Sequence, residues 1–207
     1  VLKNKITWSI GLYAFFMWAP MTIFTELWGI PYLNQVAGLS ITQSNAHIAI
    51  IWIAVGVFCP LVGLFSEILG NRLFLMRLTA IIGVVSIILI LLFPNMPSYL
   101  LWLCLFCFGI APTGAILSFA VVKDVNRENL GAAIGFNNMM VVMGGLFFQP
   151  LVGVLLENFG VSQVIRNNII YSHLSYQLSL IIIPVCFIAG LIISLFFIRE
   201  TYSGDCL

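Results

Sequence analysis

One carboxylate is set apart by its surroundings. Glu26 follows a charge-free stretch from Ile6 to Thr25 and precedes another from Leu27 to Ser66. An acid within such a stretch could carry a proton or meet a substrate amine. The plainer role is an interfacial acid reaching water. Asn137, Asn138 and Gln149 bring neutral hydrogen-bonding groups into apolar sequence. Such amides either line a cavity or bond one helix to another. Adjacent helical residues point about 100° apart, so at most one of the two asparagines aims straight into a cavity. Trp18 and Trp52 are large aromatics that could line a cavity, and Trp18, mid-segment, stands beside Pro20, a kink candidate. Trp8 and Trp28 fall where an interfacial aromatic belt is expected. Each Trp also has a packing role open to it.

Other chemistry is thin. Cys104 and Cys107 share a helix face, but no His accompanies them, so they read as packing residues and not as a metal site. His47 and His173 fall at segment ends and read as solvated. The chain has no Walker loop, no Ser-His-Asp order and no HExxH pair. No enzyme, cofactor or ATP-driven pump is indicated. Any transport would use ion gradients or facilitated diffusion.

The elements holding these groups follow from composition. Of 207 residues, 62% are hydrophobic and 7% charged, against roughly 25% charged in a soluble domain. Mean hydropathy is +1.14. A soluble fold needs more polar cover than this. The Lys and Arg residues are few and scattered, so there is no nucleic-acid footprint. A spanning helix needs about 20 apolar residues. Charge-free runs and the turn signal Pro94-Asn95-Met96-Pro97 predict six helices, at about 6–31, 47–68, 73–93, 98–122, 131–156 and 176–198. The segments lack the polar/apolar alternation of a β-barrel. The first is too long for a signal peptide and no cleavage site follows it.

Charge orients the bundle. If six helices alternate, Lys3, Lys5, Arg72, Arg77, Lys123, Arg127 and Arg199 share one side, and only Arg166 is on the other. Positive residues mark cytoplasmic loops, so both termini are expected inside.

The chain repeats itself. Pro60-Leu61-Val62-Gly63 leads to Glu67 and Gly70, and Pro150-Leu151-Val152-Gly153 leads to Glu157 and Gly160. The two copies are 90 positions apart and three helices fit between them, so the second copy crosses in the opposite direction. A 3+3 inverted repeat belongs to secondary transporters. Helices one, two, four and five carry the polar, aromatic, Gly and Pro residues and are expected to line an interior. Helix three and most of helix six are aliphatic and are expected to face lipid. Gly131 and Gly135 have a close-packing spacing.

Residues Gly63-Leu64-Phe65-Ser66-Glu67-Ile68-Leu69-Gly70-Asn71-Arg72 resemble the signature loop of the major facilitator superfamily, G-x-x-[SA]-D-R-x-G-[RN]-[RK]. Glu67 replaces the usual Asp, Ile68 the usual basic residue, and Asn71 with Arg72 the basic pair. The resemblance covers the whole chain, as the C-terminal six helices of a twelve-helix fold. Residues 25–33 are similar to the seventh helix of bacterial nutrient permeases, including the phagosomal-transporter group. The resemblance implies that the acid, here Glu67, holds the inner gate, with a partner in the other half. Beside it, Gly63 would allow close helix approach, Gly70 would cap a helix, and Arg72 would anchor the inner face.

The expected protein is thus an all-α membrane half-domain of six helices over residues 1–207, in a bacterial inner membrane. It would move a small polar metabolite by symport with protons, paired with a six-helix N-terminal half or with a second copy of itself. The start at Val1 also fits a split or truncated product, so a non-transporting remnant is the alternative.

Overall fold

The computed structural model describes residues 1–159, 161–165 and 168–201. Six helices are long and apolar enough to cross a membrane: α1 (Lys5–Gln35), α2 (Ile41–Leu69), α3 (Arg72–Leu92), α4 (Ser98–Val125), α5 (Arg127–Asn158) and α6 (His173–Phe196). A short antiparallel hairpin, β1 (Val161–Ile165) and β2 (Asn168–Tyr171), joins α5 to α6. Arg166 and Gly160, the outer-side cation and the last residue of the second motif, lie outside the described residues.

Local sequence sets the helix ends. Asn4 caps α1 by accepting from the Ile6 amide. Ser40 and Gln43 form a reciprocal capping box on α2, which satisfies two otherwise orphaned donors. That box starts α2 at Ile41, ahead of the expected 47, because its first turn is polar and reads as loop. Gly70 ends α2 at φ +58°, a left-handed turn that glycine adopts without Cβ strain. Asn71 then caps α3 and Ser172 caps α6.

The packing follows the inverted repeat. α1 packs on α5 as α4 packs on α2, and α1 meets α6 as α4 meets α3. The central pairs α1–α4 and α3–α6 each map onto themselves under this exchange. α2 and α5 carry their prolines, Pro60 and Pro150, at matching depths.

α1 is the most deeply buried helix. Two of its tyrosines reach α3, where Tyr13 donates to the Met76 carbonyl at 2.9 Å and Tyr32 to the Ile90 carbonyl at 2.7 Å. Close approach is set by small residues. A Cβ on Gly144 would lie 2.7 Å from Ala19 Cβ, and one on Gly109 would strike the Ile51 carbonyl and Ala54. These contacts join α5 to α1 and α4 to α2. Without a hydrophobic drive between helices in lipid, such packing and interhelical hydrogen bonds hold the bundle.

Two expectations about faces change. Gly131 and Gly135 meet nothing within 4 Å, so the close-packing role falls to Gly144. The least buried helices are α2 and α5, while α3 and α6 are buried to a greater share. α2 and α5 flank the bundle, so one face of each has no helix of this chain against it.

Candidate functional site

The first helix of each repeat is discontinuous. In α1, Pro20 precedes a π-helical stretch, Thr22–Trp28. In α4, the helix breaks at Ala111 and Pro112. Pro has no N–H and loosens the ladder at both places. π-turns inside helices concentrate at functional positions, and binding sites of secondary transporters are typically built from interrupted helices.

The π-stretch turns three polar or aromatic groups toward α5. Gln149 Nε2 donates to the Thr22 carbonyl at 2.9 Å and to Glu26 Oε2 at 3.3 Å. Trp28 Nε1 donates to the Gln149 carbonyl at 3.1 Å. Glu26 is exposed, and Gln149 and Trp28 are half-buried. Beside them, a cleft of about 330 Å³ opens between the helices, lined by Leu27, Trp28, Gly145, Gln149 and Gly153 among others. Two candidates far apart in sequence, Glu26 and Gln149, are therefore neighbours. Thr22, whose carbonyl completes the cluster, gave no sequence signal.

The remaining candidates scatter. Asn137 is fully buried and donates to Ser118 Oγ at 2.8 Å, which joins α5 to α4. Its neighbour Asn138 is exposed. The helix–helix role thus takes one asparagine, and the other is left on the open face of α5. Trp18 is half-buried and packs on the core. Trp52 is 45% exposed on α2.

His47 is not solvated. It is buried, with Nδ1 2.7 Å from the Gln43 carbonyl and Nε2 accepting from Trp102 Nε1 at 2.6 Å. A carbonyl only accepts, so Nδ1 carries the proton and Nε2 is free to accept. His173 starts α6, half-buried, with Nε2 3.0 Å from the Leu91 carbonyl. Cys104 packs as expected, buried between α4 and its neighbours.

The signature loop lies at the opposite end. Gly63 has open space around it, so no close approach is made there among the described residues. Glu67 is exposed near the end of α2. Arg72 forms an ion pair with Asp124 at the end of α4. Asp124 also accepts from Thr201 Oγ1 at 3.1 Å. Glu200 accepts from the Leu73 amide, and Arg77 donates to the Ser194 carbonyl. Thr7 and Asn126 exchange hydrogen bonds between α1 and the α4–α5 turn. Asp124 was missed by sequence reading, although an acid among Lys123 and Arg127 is a visible signal.

An almost entirely helical, six-span bundle with an internal inverted repeat, interrupted first helices and a charged loop between its second and third spans defines a membrane transporter domain. The chain belongs to the Major Facilitator Superfamily, whose family model matches residues 6–205. Among curated proteins, none matches the sequence significantly. Membership makes membrane transport its general function.

Proposed function

We propose that the chain is the C-terminal half of a secondary active transporter that works by alternating access. Its cargo is a small polar metabolite moved together with protons. The observation that carries this reading is the pairing of interrupted helices α1 and α4 with two long helices, α2 and α5, that each keep an open face. Alternating access needs two bundles rocking around a shared site, and six helices make one bundle. Exposed Trp52, Asn138 and Leu146 lie on those open faces. They are the surface that an N-terminal half, or a second copy, would cover.

Orientation completes the reading. The end carrying Arg72, Arg77, Lys123, Arg127 and Arg199 is cytoplasmic, in a bacterial inner membrane, with both termini inside. The Glu67–Arg72 loop then serves as the inner gate element, and Glu26 with Gln149 faces the outer half of the path.

Uptake by the complete twelve-helix protein in energised vesicles tests the function. Saturable metabolite uptake that collapses with the proton gradient is expected. Uptake indifferent to the gradient would remove the coupling. Orientation is tested with cysteines at exposed Glu128 and exposed Tyr99, expected to label from inside and outside respectively.

A further inference from the structure

The hydrogen-bonding capacity around Glu26 is lopsided. Both amide hydrogens of Gln149 are committed, one to the Thr22 carbonyl and one to Glu26. The flipped amide would set oxygen against the Thr22 carbonyl, so this orientation is fixed by chemistry. The indole N–H of Trp28 is spent on the Gln149 carbonyl, and the Thr22 hydroxyl on the Ala19 carbonyl. Every donor in the cluster thus points inward. The spare capacity consists of acceptors: the second carboxylate oxygen of Glu26 and the amide oxygen of Gln149.

Charge points the same way. No described Lys or Arg is ion-paired with Glu26, whereas Asp124 at the other end is paired with Arg72. The described acids of this end are Glu26 and Glu157, and the described Lys and Arg residues are all at the other end. A carboxylate in a membrane span with a single neutral donor calls for a cation. One carboxylate is too few for Mg²⁺ or Ca²⁺, which gather six or more oxygens. The adjoining cleft has apolar walls at Leu27, Leu146 and Pro150 and an indole at Trp28. A carboxylate beside an apolar, aromatic cleft suits a protonated amine carrying a hydrocarbon part.

We infer that Glu26, Gln149 and Trp28 form a recognition site for the ammonium group of an organic amine, between α1 and α5. As a statement of substrate class this rests on the transport reading, but binding itself does not require transport.

The test is photolabelling of the 207-residue chain in lipid nanodiscs. The probe is a trifluoromethylaryl diazirine bearing a primary alkylamine, with its neutral N-acetyl analogue as control. The amine should label the peptides around Glu26–Gly29 and Gln149–Gly153 about tenfold more than the analogue, the factor of a single charged contact. Glu26→Gln should erase that preference, while Glu26→Asp and Glu157→Gln keep it. Unfolding curves of the variants exclude misfolding as the cause. Equal labelling by the neutral analogue, or an undiminished preference in Glu26→Gln, overturns the site, as does a carboxyl that only exchanges protons. Arg166→Gln runs in parallel; labelling that appears only in that variant would make the arginine the cation Glu26 serves and would also overturn it. Amine binding without amine uptake by the complete protein leaves the site and removes the amine as substrate. Uptake without amine preference does the reverse.

Discussion

The two ends of the bundle are held together by different chemistry. At one end an ion pair, Arg72–Asp124, joins the α2–α3 and α4–α5 connections, and Thr201 and Glu200 tie the chain's later residues to it. At the other end the links are neutral: Trp102 to His47, Gln149 to Thr22, Tyr176 to Gln35, and His173 to the Leu91 carbonyl. The charged end balances Asp124 with Arg72 from another helix, whereas the neutral end leaves Glu26 with an amide. Asp124 is thus compensated within the chain, and Glu26 is the acid we propose a ligand compensates.

The largest effect should come from breaking the charged end. Asp124→Asn removes the negative charge that the mostly buried Arg72 pairs with. A loss of about 2 kcal/mol is expected, between exposed and fully buried pairs. Thermal unfolding in detergent would measure it. The double variant Arg72→Gln with Asp124→Asn should lose less than the sum of the singles, and strict additivity would deny the pair.

Next comes the neutral end. Trp102→Phe keeps the ring and leaves the buried His47 Nε2 without its donor, at about 1.5 kcal/mol. A change below about 0.3 kcal/mol would mean that this link carries no load. Gln149→Ala releases the Thr22 carbonyl and should cost about 1 kcal/mol. Amide exchange should also quicken across Thr22–Trp28, since the π-turn loses its tether. Unaltered exchange there would detach Gln149 from the turn.

Glu26→Gln should have the smallest effect on stability, under about 0.5 kcal/mol, because the side chain is exposed. Its effect belongs to function: pH-dependent uptake by the complete protein should fall strongly. Wild-type uptake by this variant would confine Glu26 to an interfacial role.

The six spans were legible because charge-free runs of the required length are hard to mistake. The repeat was legible because Pro60 and Pro150 head matching motifs. The beginning of α2 was not, since its capping box is polar and resembles loop. The π-turn at Thr22–Trp28 has no local signature beyond Pro20; its tether, Gln149, is supplied by another helix. The rotation of each helix was equally hidden. Sequence restricted a direct cavity role to one of Asn137 and Asn138, but only the packing of α5 on α4 turned Asn137 to Ser118. His47 seemed exposed because its cover, Trp102, is contributed by α4.

We propose this bundle as one wall of a two-bundle transporter. Its most direct test is uptake in proteoliposomes of small amines and amino acids under an imposed proton gradient. The 207-residue chain is compared alone and combined with the six helices of an N-terminal half. No saturable uptake is expected from the chain alone, and saturable, gradient-dependent uptake is expected once the second bundle is present. Saturable, substrate-specific uptake by the chain alone would contradict it and make a six-helix carrier the working unit.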